Sequence, residues 1–184
     1  EWVKLFDINT DDKIFYINNK GMIREAGSTL PPLDLNTLFP TDKIKDWKDI
    51  LCLSNTLWLC VGYCKRVNNR TPGKNVLCMG SGNKIVGIES IRLGERKGEG
   101  RPIDRVVKVD SGYSNFCYVV AADAESVHVL TAWFDAPNKS LQPQTTISLP
   151  TGQCTGLSPL PWSPLSILLG GYAGKEPNRL DLLE

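Results

Sequence analysis

The sequence predicts a mainly β fold: one compact antiparallel β-barrel or sandwich-like domain with one short helix. Three observations carry this. Apolar runs of strand length recur along the chain, turn residues separate them, and one segment alone has helical spacing. Sixteen Gly and 12 Pro fall between the apolar runs rather than in one low-complexity tract, which is a turn-rich pattern. The 184 residues fit a single domain over 1–184, since a domain of about 150 residues already buries roughly 70% of its unfolded surface.

Taken in order, Val3–Ile8 and Lys13–Ile17 read as strands. Asn18-Asn19-Lys20-Gly21 is turn chemistry before a short strand at Met22-Ile23. Leu30-Pro31-Pro32-Leu33 interrupts any regular element, because proline lacks the ladder donor. The helix is expected from Thr41, a capping residue, with Asp42 set against the dipole and Ile44, Trp47, Ile50 and Leu51 on one face. Strands return at Thr56–Cys64, Asn75–Met79 and Lys84–Ile91, the last two flanking Gly80-Ser81-Gly82-Asn83 as a hairpin. Residues 92–105 are charged and glycine-bearing and predict an exposed loop. Further strands follow at Val106–Val109, Phe116–Ala122, Val127–Phe134 and Thr145–Leu149, with a turn at Asp123–Ser126, then a proline-studded passage over 159–164 and the apolar run Ile167–Leu169. The tail Ser166–Leu183 has a blade-like look, but no Trp-Asp or Gly-His dipeptide and no period near 40 residues is visible. A complete propeller of that repeat class is not expected.

Charge and composition exclude several functions. Twenty-one Lys and Arg against 20 Asp and Glu leave a net charge of +1, so no global field draws in nucleic acid or a membrane surface. No apolar run approaches the roughly 20 residues needed to cross a bilayer, so membrane insertion is not expected. Glu1-Trp2-Val3-Lys4 carries no initiator Met, and the chain reads as an excised or processed domain. The six cysteines, at 52, 60, 64, 78, 117 and 154, lack both disulfide-scaffold density and the Cys-x-x-Cys knuckle of a zinc site. They read as buried free thiols. Cys60 and Cys64, on one face of a strand, would stand about 13 Å apart, too far to bridge.

His128 is the single histidine, so any general-base or triad mechanism would pass through it. Alternation places it beside Leu130 and Ala132 on a strand face, where a packed or hydrogen-bonded histidine is the ordinary reading. Cys154 sits in Thr151-Gly152-Gln153-Cys154-Thr155-Gly156, faintly like a glycine-flanked nucleophile, but His128 stands too close upstream for a chymotrypsin-like cysteine protease. Gly170–Lys175 is one residue short of a phosphate loop and has Glu176 where Ser or Thr would hold magnesium. Gly80-Ser81-Gly82 lacks the third glycine and the helix of a dinucleotide site. Acids are scattered, and no glycosidase pair stands out. We therefore expect no enzyme, no cofactor and no metal.

Binding residues are expected on polar loops carried by the sheets. They are Asn69 and Arg70 in one loop, Arg96, Lys97 and Arg101 in the charged loop, Tyr113 among small polar residues, and Trp162 between prolines. Asn69-Arg70-Thr71 and Asn138-Lys139-Ser140 also match the glycosylation sequon.

With its short strands from Trp2 to Tyr172, the run Leu57–Tyr63, long polar loops and cysteines without a bridging pattern, the chain resembles a viral surface domain. In character it is similar to the capsid spike of astroviruses, particularly avian ones. That resemblance implies a β-barrel-like protruding domain, homodimeric at the virion surface, which attaches to a host receptor, glycan or protein, and is recognised by antibodies. It assigns no role to any single residue. The alternative is a partial or divergent β-propeller, a cytoplasmic scaffold that docks partner proteins.

Overall fold

The computed structural model describes residues 2–38, 44, 46–64, 73–91, 102–103, 105–122, 126–135, 141–148, 154–160, 163–172 and 180–183. Among them the structure is antiparallel β throughout, with no helix. The chain divides into two compact units, Glu1–Pro102 and Ile103–Glu184.

In the first unit, β1 (Val3–Ile8), β2 (Ile14–Asn18), β3 (Met22–Glu25) and β4 (Leu33–Asp34) pair in chain order as one sheet. A second sheet repeats the plan with β5 (Asp46–Cys52), β6 (Leu57–Cys64), β7 (Lys74–Ser81) and β8 (Lys84–Ile91). Both are open meanders, so the class is the expected one but neither sheet closes into a barrel. Asparagines build the first two turns in the same way. Asn9 Oδ1 accepts from the amides of Asp11 and Lys13 at 2.9 and 3.0 Å, and Asn18 Oδ1 accepts from Lys20 and Met22 at 2.9 and 3.0 Å. Side-chain mimicry of a backbone turn is what makes asparagine effective there.

The expected helix is not formed. Asp46–Cys52 is strand β5, while Thr41 and Asp42 lie outside the described residues. The helical spacing has a physical cause. Against β6, Trp47 pairs with Gly62 and Asp49 with Val61, so Lys48 is an extra, bulged residue. One inserted residue shifts the alternation of a strand and brings Trp47 and Ile50, three apart, to the same face. Both are buried, as is Ile44. An extra residue in β1, Lys4, does the same to Val3 and Phe6, since Val3 pairs with Asn18 and Leu5 with Ile17.

The core of this unit gathers Phe15, Ile17 and Ile23 from the first sheet with Trp47, Ile50, Trp58 and Val76 from the second. Strand β1 packs against β5. β6 and β7 are buried on both faces along most of their length, whereas β1 is exposed at alternate positions. The hairpin between β7 and β8 is tighter than expected. Gly80 and Ser81 belong to the strand and the turn is Gly82-Asn83, with Gly82 at φ 57°, the left-handed region that two-residue hairpins favour.

In the second unit, β9 (Arg105–Asp110), β10 (Phe116–Ala122), β11 (Ser126–Trp133) and β12 (Leu141–Ser148) form a third four-stranded meander. β13 (Cys154–Leu160), β14 (Ser163–Tyr172) and β15 (Asp181–Leu183) form a three-stranded one. Val109, Val120, Ala122, Val127 and Leu157 pack together as one buried cluster of this unit. Pro143 is accommodated because β12 lies at the end of its sheet and bulges at Gln144, Val129 pairing with Thr145 and Leu130 with Pro143.

Candidate functional site

Of the residues expected to bind, Asn69, Arg70, Arg96, Lys97, Arg101 and Trp162 lie outside the described residues. Tyr113 is described, and it is 68% exposed. The sequence around it explains its position. Asp110 ends β9 and its Oδ1 accepts from the Gly112 amide at 3.0 Å. Gly112 takes φ 77°, which only glycine adopts freely. Buried Ser111 turns inward, its Oγ accepting from the Tyr113 amide at 3.1 Å and donating to the Phe116 carbonyl at 2.6 Å. The Phe134 amide then donates to the Asn115 carbonyl at 2.9 Å, fastening the loop to the end of β11. The tyrosine is thus held outward by a turn whose polar groups are satisfied internally.

Beneath it lies a group of rings that sequence reading did not assemble. Tyr113 stacks on Phe116 with centroids 5.6 Å apart and planes 16° apart. Phe116 meets Trp133 at 4.7 Å and stands edge-on to Tyr118 at 5.5 Å. Phe116 and Trp133 are direct cross-strand partners, and Tyr118 is two residues along the same face. Phe116, Tyr118 and Trp133 are each half-buried. This ledge continues the face of β10 and β11 that carries Val120 and Val127 into the core, so its rings are rigidly supported and their outer surface is open. Stacked aromatics with few rotatable bonds give large contact area at low entropic cost.

The chemistry-bearing residues are occupied elsewhere. His128 Nε2 lies 2.9 Å from Ser126 Oγ and Nδ1 lies 2.9 Å from Thr146 Oγ1. It shares a face with Leu130 and Ala132, since β11 runs unbroken against β10. Cys52, Cys60, Cys64, Cys78 and Cys117 are buried and stand in no disulfide. Burial pushes the Cys78 and Cys117 thiols up to about 12 and Cys60 well above its ordinary value. A thiol held protonated is a poor nucleophile. Cys154 begins β13 opposite Tyr172. Among the described residues no group of three or more His, Cys, Asp or Glu could hold a metal ion, and no helix is long and apolar enough to cross a membrane.

Sequence reading also missed a polar seam between β1 and β5. Asp46 is paired to both Lys4 and Lys48, the latter at 2.7 Å, and their hydrogen bonds hold its carboxyl below the usual range. Nearby, Asp7 accepts from the Cys52 amide at 2.7 Å and Asp49 from the Ile50 amide at 2.8 Å. Loss of hydration, with a smaller push from Asp7, raises Asp49 above its ordinary value. Both carboxylates are engaged by backbone amides and serve the strand junction.

No protein-family model matches the chain, and no curated protein matches it either.

Proposed function

We propose that the chain is a non-enzymatic docking domain built of propeller-type sheets, binding a partner protein through the aromatic ledge around Tyr113. One observation carries this reading: each sheet is an antiparallel meander of consecutive strands, four-stranded three times over. Within the first unit the leading strands β1 and β5 pack together, and within the second β9 packs against β13. Repetition of such sheets is how propellers limit exposed edges, and propellers commonly serve as binding platforms. The repeat escaped notice in the sequence because its leading strands begin at Val3, Asp46, Arg105 and Cys154, an uneven spacing set by the intervening loops. The absence of enzymatic activity is supported by His128 being engaged with two hydroxyls and by thiols that burial keeps protonated.

Attachment of a virion to a host receptor is the other reading, and it would use the same exposed rings. The two separate in one experiment. The immobilised domain and its Tyr113→Ala variant are compared for captured proteins by quantitative mass spectrometry, with a glycan array in parallel. We expect captured proteins that fall at least about tenfold with the variant, a loss of some 1.4 kcal/mol, and no glycan signal. Glycan binding with no Tyr113-sensitive protein would favour the attachment domain and overturn the scaffold. The variant remains folded, because an exposed ring stack contributes only about 0.5–1.5 kcal/mol.

A further inference from the structure

Register sets two thiols opposite one another. Cys60 of β6 and Cys78 of β7 are direct antiparallel partners, so their side chains leave the same face of the sheet. Both enter the core of the first unit, and both are fully buried. Direct antiparallel partners hold their Cα atoms about 4.5–5.5 Å apart, inside the range of roughly 4.4–6.8 Å that a disulfide spans. The nearness shows in the ionisation of Cys60, which is raised chiefly by loss of hydration and next by the charge of an ionised Cys78.

Among the described strand pairings no other two cysteines stand opposite one another. Cys52 faces Trp58 and is two residues from Ile50, the partner of Cys60. Such a diagonal separation is about 7–8 Å, beyond bridging. Cys64 faces Lys74 and stands about 13 Å along the strand from Cys60. Sequence proximity alone would favour Cys60 with Cys64, because in a flexible chain the shorter loop closes at lower entropic cost. The fold selects a partner that the unfolded chain would not.

We propose that Cys60 and Cys78 are a redox-active pair, which a small-molecule disulfide such as oxidised glutathione converts to a cross-strand bridge that locks β6 to β7. One thiolate attacks the oxidant and displaces one glutathione; the second attacks the resulting mixed disulfide and displaces the other. The pair gives up two electrons and two protons, and the oxidant becomes two molecules of glutathione. Attack needs an ionised, accessible sulfur. Burial withholds both in the assembled sheet, so the bridge closes as β6 and β7 come together, or when they part. It spans the connection between Cys64 and Lys74 and removes freedom from the unfolded chain. The redox state of the surroundings thereby sets how firmly the two central strands of the second sheet are held. Nothing in this pairing depends on the ledge at Tyr113.

The full chain, reduced and unfolded in urea, is diluted into native buffer containing reduced and oxidised glutathione. Remaining thiols are then blocked and bridged peptides mapped by mass spectrometry. We expect one intramolecular bridge, between Cys60 and Cys78, with the other four cysteines recovered as thiols. The same oxidation kept in urea should instead scatter bridges among sequence neighbours, with Cys60 to Cys64 leading. The oxidised folded chain should have an unfolding constant at least about tenfold smaller than the reduced chain in the same urea, and reductant should abolish the difference. Cys78→Ala should show neither bridge nor gain; should that variant fold poorly, the wild-type mapping and urea comparison decide without it. Where dilution recovers little folded chain, the folded chain is incubated with the same glutathione mixture in urea below the transition, which opens strands locally. Recovery of Cys60 and Cys78 as thiols, or a bridge to any other cysteine in the folded chain, overturns the inference. So does a bridge between Cys60 and Cys78 that leaves the unfolding midpoint unmoved or lowered.

Discussion

Gly80 is the direct cross-strand partner of Trp58, and a Cβ atom at Gly80 would clash with Cζ2, Cη2 and Cε2 of the indole. Trp58 is wholly buried and cannot retreat, since its Nε1 also donates to the Gly82 carbonyl at 2.9 Å. Gly80→Ala should therefore destabilise the first unit by about 2–3 kcal/mol, towards the top of the usual range for forced overpacking. Gly82→Ala, with open space around its Cβ, should cost only the left-handed backbone penalty of about 1 kcal/mol. Urea unfolding monitored by tryptophan emission compares the two.

The Lys48 bulge makes a different prediction. Deleting Lys48 leaves Trp47 and Ile50 two residues apart, which in a strand keeps both on the buried face. The cost should stay below about 2 kcal/mol, within the ordinary range for a single change, and Trp47 should remain shielded from a quencher such as iodide. In a helix the same deletion would rotate Trp47 by about 100° relative to Ile50 and expose it. A quenchable Trp47 in a folded deletion variant would contradict the register.

This bulge also explains where sequence reading stopped. The strands at Thr56–Cys64, Phe116–Ala122 and Val127–Phe134 were legible because their apolar runs are bounded by turn residues. Ile44, Trp47, Ile50 and Leu51 mimicked a helix because one bulged residue converts a period of two into a spacing of three. Local propensity cannot reveal that, since the bulge is defined by pairing with Gly62 and Val61. The ledge was half legible for a similar reason: Tyr113 stands out by composition, but Phe116 and Trp133 meet only through cross-strand register. Nor could the exposed face of β1 be seen before register assigned Val3, Phe6 and Ile8 to one side.

Asp49 and Asp46 should respond to pH in opposite senses. Burial raises Asp49 above its ordinary value of 3.8, so the folded state binds this proton more tightly than the unfolded chain does. Its stabilising contribution is complete below 3.8 and disappears as pH rises through the raised folded value. Asp49→Asn, which retains an acceptor for the Ile50 amide, should then raise the thermal midpoint at pH 7 and lose that advantage below pH 3.8. Asp46 is lowered by hydrogen bonds from Lys4 and then Lys48; its contribution is present above 3.8 and lost as pH falls through the depressed value. Because the pairs are partly exposed, Asp46→Asn should cost under about 1 kcal/mol at neutral pH, and less in high salt. Thermal melts across pH for both variants check the two signs.

The buried thiols predict chemical silence. At pH 8 the native chain should leave Cys52, Cys60, Cys64, Cys78 and Cys117 unlabelled by iodoacetamide over hours, because all five are buried and Cys60, Cys78 and Cys117 are raised further from ionisation. The same residues should label within minutes in denaturant. Peptide mass spectrometry resolves each site, and rapid native labelling at Cys60 or Cys78 would contradict their burial.

The central claim, a docking domain that uses the ledge of Tyr113, is tested most directly by hydrogen exchange on the domain with and without a captured partner. Bound partner should slow exchange at Gly112–Tyr118 and at Trp133–Phe134, where amides of the loop and of β10 and β11 surround the rings, while leaving the amides of β6 and β7 unchanged. Protection confined to residues outside this ledge, with Gly112–Tyr118 exchanging as in the free domain, would contradict the account.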